Sequence, residues 1–283
     1  MNHQPGLPPT FQFSQSSLQD YDTCPRRFQL RYLEQMRWPA IESEPVEEAE
    51  RLARLGSDFH RLVQQHLVGL SAETLAGTVA HGEPDLQRWW HSYLAHRPAA
   101  LDGADVYSEL VLSAPLHGFR VQARFDALLR RPDGAFLIID WKTAHHKPPR
   151  EALERRLQTR VYPWVLAAAG AVLNHGQPIN PAAISMSYWY PEFPGEPEEF
   201  AYSQKLFERD ERSLGELIER VKDAAARSDF PLVEDDRPCR YCVYRSFCAR
   251  EVAAGPVIEP GEAAESSLDV LALDWDQIAE IQF

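Results

Sequence analysis

Two spacings of apolar residues alternate along this chain. Between residues 47 and 68, Leu52, Leu55, Phe59, Leu62, Val63 and Leu67 recur three and four residues apart, the period of one helix face. Residues 71–97, with Trp89-Trp90, extend the helical reading. From 106 to 112 the period drops to two and predicts a strand that includes Glu109. Two further apolar runs, 125–129 and 136–139, flank Arg130-Arg131-Pro132-Asp133-Gly134. Proline presets φ, aspartate bonds nearby backbone and glycine accepts positive φ, so this stretch predicts a β-hairpin.

After the Pro148-Pro149 break, residues 150–169 read as one long helix with Leu153, Leu157, Val161, Trp164 and Val165 on its apolar side. Residues 184–190 predict a strand, 199–202 a short returning strand, and 204–227 a last helix. At the front, 1–12 reads as a flexible leader. Ser14 or Ser16 can cap a first helix, and a second begins at Pro25, where a missing N–H does no harm. One α/β domain over 13–250 is expected, followed by an acidic tail, 251–283, in which Trp275, Ile278, Ile281 and Phe283 can dock as a short element. There is no internal repeat.

Charge changes the picture more than overall composition does. The chain has 283 residues and a net charge of −13, which argues against broad coating of nucleic acid. That charge is unevenly placed: residues 120–160 carry ten Lys/Arg against five Asp/Glu, whereas 251–283 holds eight acids and neither Lys nor Arg. A local nucleic-acid-binding side with Arg120, Arg124, Lys147, Arg150 and Arg160 is therefore expected. The longest apolar run, 164–173, is too short to span a membrane, and the first residues lack a signal-peptide pattern, so a cytoplasmic location is expected. A G-x-x-x-x-G-K-[ST] loop is absent, and no ATP-driven motor is expected.

Candidate chemistry concentrates in the hairpin. Asp126 lies on its first strand and Asp140 ends its second; Lys142, two residues on, shares the face of Asp140. Carboxylate oxygens are hard ligands for Mg²⁺ or Mn²⁺, and a lysine beside them can steady a phosphate or an attacking water. The same set also occurs as solvated charge at a hairpin end. His60, beside a helical apolar stripe, is by itself an ordinary helix residue, and Glu109 is either metal support or an exposed strand residue. Gln158 and Tyr162, four apart, share a helix face.

Four cysteines form the second signal: Cys24 near the front, and Cys239, Cys242 and Cys248 near the end of the domain. Four thiolates suit a [4Fe–4S] cluster or tetrahedral zinc, and spacing does not separate the two. Disulfides are disfavoured in a reducing compartment.

Together Asp126, Asp140-Trp141-Lys142, Gly56-Ser57-Asp58-Phe59-His60 and Gln158-x-x-x-Tyr162 resemble, in order, the PD-(D/E)XK nuclease superfamily and its RecB-like branch. The resemblance implies a restriction-endonuclease-like core, a mixed sheet flanked by helices with a helical insertion over 47–97. It implies Mg²⁺ or Mn²⁺ held by His60, Asp126, Asp140 and the backbone carbonyl of Trp141, with Asp126, Asp140, Lys142, Gln158 and Tyr162 as catalytic residues and Glu109 as possible support. Trp141, Tyr162 and the aromatics Tyr188, Trp189 and Tyr190 would either stack on bases or pack the core. The cysteine arrangement is similar to that of Cas4-like and AddB-type iron–sulfur nucleases. That likeness favours [4Fe–4S] over zinc, joining the N- and C-terminal segments. The implied function is a metal-dependent DNA nuclease, an exonuclease or end-processing enzyme of DNA repair acting on single strands or ends. Rivals are a non-catalytic DNA-binding or scaffold subunit, or a Cas4-like partner in CRISPR spacer acquisition; a helicase partner is also possible.

Overall fold

The computed structural model describes residues 6–36, 44–250 and 252. The docking element expected at Trp275, Ile278, Ile281 and Phe283 lies outside them.

A short strand unforeseen in the sequence, β1 (Gln12–Ser14), leads into helix α1 (Gln15–Thr23). Ser14 caps that helix reciprocally: its hydroxyl accepts from Ser17 N, while Ser14 N donates to Ser17 Oγ. Cys24 breaks the chain with extended backbone, and α2 (Pro25–Phe28) starts on Pro25 as expected. It runs on into a wide π turn, Gln29–Leu33. Three helices follow, α3 (Glu44–Leu67), α4 (Ala72–Ala80) and α5 (Pro84–His96), the last two divided near Gly82 where one helical stretch was expected.

The sheet is built from β2 (Asp105–Leu116), β3 (Phe119–Arg130), β4 (Phe136–Trp141), β5 (Ile184–Trp189) and β6 (Glu198–Ala201), together with β1. The expected hairpin is β3–β4, antiparallel from Ala127↔Ile139 to Arg130↔Phe136. Its turn works as the residue types require: Asp133 Oδ1 accepts from Ala135 N at 3.0 Å, and Gly134 takes φ +82°. Between β4 and its parallel neighbour β5 run α6 (Arg150–Arg155) and α7 (Leu157–Ala169), the crossover that a parallel pair needs. The single helix expected over 150–169 is thus two. Arg156 is extended (φ −60°, ψ 140°), and Thr159 Oγ1 caps the interruption by donating to Leu153 O at 2.5 Å. Helix α8 (Gln204–Arg227) completes the core.

Helices cover both sheet faces and bury two separate cores. One core packs α1, α7 and α8 on Val121, Ala123, Phe125, Leu128, Phe136 and Ile138. The other packs α3, α4 and α5 on Ala127, Leu129, Leu137, Ile139 and Trp141. The alternation along β3 therefore slips: Val121, Ala123 and Phe125 face the first core, but Ala127 faces the second. Strand β2 slips at the same level, with Leu112 and Leu110 on the first core and then Tyr107 beside it, Val106 beyond. Asp126 sits at the slip on β3. Glu109 sits opposite it on β2, with φ +53°, a value non-glycine residues avoid.

The edge of β3 away from β2 is shared. β1 pairs with residues 120–122 and β4 with 127–130, so the sheet parts between them at 123–126.

Candidate active site

This parting positions the site. Where β4 leaves β3, the side chain of Asp126 takes up the ladder's role: Trp141 N donates to Asp126 Oδ2 at 2.9 Å. His60, from α3 on the second-core side, places Nδ1 3.4 Å from the same oxygen. Glu109 turns in from β2, and one ligand atom from each of His60, Glu109 and Asp126 lies within 4.8 Å of the other two. The left-handed backbone of Glu109 is what re-aims this carboxylate, a local strain of a kind that gathers at functional sites.

Asp140, on β4, stands outside that cluster of three but near enough for its charge to act on His60 and Asp126. Its Oδ1 accepts from Gln158 Nε2 at 2.5 Å, and its Oδ2 lies 3.0 Å from Lys142 Nζ while, though buried, accepting no aligned hydrogen bond. Lys142 Nζ also donates to Gln158 Oε1 at 3.0 Å. Gln158 thus bridges the second acid and the lysine from the first turn of α7. The break at Arg156 places it there, and a continuous helix would carry it as a mid-helix residue. Tyr162, one turn on and on the same helix face as Gln158, packs its ring edge-to-face on Phe125 at 5.4 Å.

Each charge in the set shifts its neighbours. Burial works against charge on His60, but the charge and hydrogen bond of Asp126 overcome it and raise the imidazole pKa to about 9. Burial likewise opposes ionisation of Asp126, yet His60 and the Trp141 N–H hold that carboxyl below its usual range. Burial together with the Asp126 charge pushes Asp140 up to about 6 against the pull of Lys142. Glu109 is raised by burial and by Asp126. Three buried or half-buried carboxylates are balanced in the metal-free fold by His60, Lys142 and Arg124, and they offer a divalent cation negative charge once His60 gives up its proton. The nitrogen and oxygen donors fit Mg²⁺ or Mn²⁺.

A family model for the PD-(D/E)XK nuclease superfamily matches residues 12–249. The chain belongs to that superfamily. Among solved structures, a "Putative exonuclease" from Eubacterium rectale aligns with a TM-score of 0.52 at 10 % identity, over 88 % of this chain and 91 % of its own. The structure of SSO0001 aligns with a TM-score of 0.36 at 14 % identity, over 84 % and 95 %. No curated protein sequence matches significantly. The restriction-endonuclease-like fold and the nuclease family of this chain are thereby established.

Within this nuclease domain the four cysteines, all free thiols, come together although more than two hundred residues separate Cys24 from Cys239. All four line one cavity, with Arg27, Arg245 and Arg250 among its other walls. Arg250 Nη1 approaches Cys239 Sγ at 3.8 Å. Burial pushes the Cys242 thiol up to about 11, with Arg27 acting in the opposite direction.

Of the two roles expected for the aromatics, core packing is the one found: Trp141, Tyr188, Trp189 and Tyr190 are between 0 and 2 % exposed and pack the two cores. The five basic residues do not form one open side. Lys147 and Arg150 both reach Glu198, at 3.1 and 3.0 Å, and Arg160 pairs with fully buried Asp210 at 2.9 Å. Arg120 and Arg124 differ. With Gln122 they alternate along the β3 face that carries Asp126, beside exposed Val111. Arg120 bonds Ser113, and Arg124 Nε lies 3.4 Å from Glu109 Oε2.

Two roles escaped the sequence reading. Gly56, quoted there only as part of the motif that ends at His60, makes room for the chain leaving Lys142 to cross α3, since a Cβ there would stand 2.9 Å from Thr143 Oγ1. A glycine inside a helical stripe was the available signal. Asp20, a buried acid ahead of the Cys24-Pro25 break, gave none.

Proposed function

We propose that this protein is a metal-dependent deoxyribonuclease of the RecB/Cas4-like type, trimming single-stranded DNA or strand ends. The observation that carries the reading is the convergence of His60, Glu109 and Asp126 where the sheet parts, with the Asp140–Lys142 pair beside them. The end-processing role rests on the motif resemblance.

His60, Glu109, Asp126, Asp140 and the Trp141 carbonyl would hold Mg²⁺ or Mn²⁺, which supplies Lewis-acid polarisation of the phosphodiester and acidifies water. The chain's own groups do the rest. Lys142, positioned by Gln158 and Asp140, orients the attacking water and balances charge that develops on the phosphate. Gln158 keeps the lysine and Asp140 in fixed relation, and Tyr162 stands one turn on from it on the same helix face. Arg120 and Arg124, on the uncovered part of β3, take the flanking phosphates.

The cysteine cavity holds a [4Fe–4S] cluster in this reading. Its lining, arginine-rich and without an acid among the described residues, suits an anionic centre. Anaerobically purified protein, incubated with end-labelled single- and double-stranded DNA, should shorten the single strand only when Mn²⁺ or Mg²⁺ is added, and Asp140→Ala should not. Wild-type protein that binds DNA but cuts neither substrate with either metal would mean a non-catalytic binding subunit instead.

A further inference from the structure

Beside the cysteine cavity lies a buried group of charges that the nuclease chemistry does not use. Asp20, 3 % exposed, is met by Arg27 Nη2 at 2.8 Å, by Arg31 Nη1 at 3.0 Å and by the Tyr32 hydroxyl at 3.1 Å. Arg27 and Arg31 are themselves 4 % and 8 % exposed. Asp20 thus holds two guanidinium groups in place inside the protein.

Arg27 is also a wall of the cavity lined by Cys24, Cys239, Cys242 and Cys248. Its place there is locally encoded: Cys24 precedes α2, and Arg27 N donates to Cys24 O at 3.0 Å, so one helical turn joins a thiol to a cation. Among the described residues the lining includes Arg245 and Arg250 and no acid. Four thiolates around a doubly positive centre, a [4Fe–4S]²⁺ core or Zn²⁺, leave two negative charges in excess.

We propose that Arg27, clamped by Asp20, is the buried counter-charge of a dianionic tetrathiolate centre at these four cysteines. It acts through its field and is not a ligand. The proposal rests on the cysteine reading given under Proposed function and adds the residue that fixes how firmly the centre is held and how easily it is reduced. Positive charge nearby favours the more negative, reduced centre. Asp20 both aims the guanidinium and offsets it, so the two residues should have opposite effects.

The test compares full-length wild type with Arg27→Gln, Arg27→Lys and Asp20→Asn, purified anaerobically and analysed for iron, sulfide and zinc. If the centre is iron–sulfur, redox titration followed by electron paramagnetic resonance should give a lower potential for Arg27→Gln and a higher one for Asp20→Asn. Arg27→Lys should stay near wild type. If it is zinc, release to a chelator is read instead. Arg27→Gln should release about ten- to hundredfold faster, the usual effect of losing an outer partner of a metal site, and Arg27→Lys should not.

Loss of a structural salt bridge would lower the melting temperature of every variant without moving potentials in opposite directions. Shifts of the same sign, or none in Arg27→Gln, overturn the role of Arg27. A wild-type protein without metal fails before any variant is compared; it overturns the tetrathiolate reading and the proposal with it.

Discussion

Lys142 stands where three roles meet: 3.0 Å from Asp140 Oδ2, 3.0 Å from Gln158 Oε1, and over the Tyr188 ring. Lys142→Ala should lower the cleavage rate about 10²–10³-fold, the range for removing one group that stabilises developing charge. Its Mn²⁺ affinity should change little; a rate within a few-fold of wild type would remove Lys142 from the chemistry. His60 makes metal binding depend on pH. Its pKa is raised from 6.5 to about 9 in the metal-free fold, so the stabilisation from its charged pair with Asp126 is full below 6.5 and lost through 9. A metal needs the neutral imidazole and must displace that proton. Apparent Mn²⁺ affinity should therefore rise by up to about tenfold per pH unit across that window. The increase in melting temperature on adding Mn²⁺ should grow between pH 6.5 and 9. A flat response would return His60 to the role of an ordinary helix residue.

At the scale of elements, the slip in β2 and β3 turns Glu109 and Asp126 toward one point. Glu109 carries the strain, with φ +53° in the middle of a strand. A non-glycine residue in that conformation costs about 1–2 kcal/mol. Glu109→Ala and Glu109→Gly both lose the carboxylate and should both weaken metal binding. Without metal, the glycine variant should be the more stable by roughly 0.5–1 kcal/mol, because the strain relieved exceeds the extra freedom glycine gives the unfolded chain. Chemical denaturation of the two variants measures the difference, and equal stabilities would mean the strand is not strained there. The interruption at Arg156 does comparable work in α7. It starts a new helix just ahead of Gln158, with buried Thr159 bonding both Leu153 O and the Tyr188 hydroxyl.

Over the whole molecule, the active site lies at the seam of two cores, with His60 contributed by one helical layer and Gln158 by the other. The cysteine cavity joins the chain's distant ends on the side of the first core, where Tyr21 reaches Arg220 O and Phe28 stacks on Phe230 at 6.2 Å. Closing so long a loop is opposed by chain entropy, and in the proposed tetrathiolate centre metal–thiolate bonds formed only in the folded state would oppose that cost. Cys24→Ser should therefore lose the bound metal and lower the melting temperature by at least about 5 °C, given ~2–4 °C per kcal/mol for a chain of this size. Cleavage should fail only on approaching the lowered melting temperature. An unchanged melting curve would show that the cysteines do not tie the ends together.

The sequence by itself determined the local pieces and the nuclease family to which the chain belongs. The hairpin was legible because Pro132-Asp133-Gly134 admits few turns, and the α3 stripe because its period is regular. Asp126, Asp140 and Lys142 share a short stretch whose geometry follows from period two. What only the tertiary structure decided is where separate pieces meet. Strand β1 is three residues long and is held by pairing with β3, a partner more than a hundred residues away, so no local pattern announces it. The alternation slip at Asp126 depends on which helices cover each end of the sheet, and that is a property of both cores together. The basic residues read as one side in the sequence. Lys147, Arg150 and Arg160 instead found carboxylates on β6 and α8, because a cation half-withdrawn from water is stabilised by the nearest anion the fold supplies. Asp20 gathers Arg27 and Arg31 for the same reason. Charge is written in the sequence, but its partner is chosen by the fold.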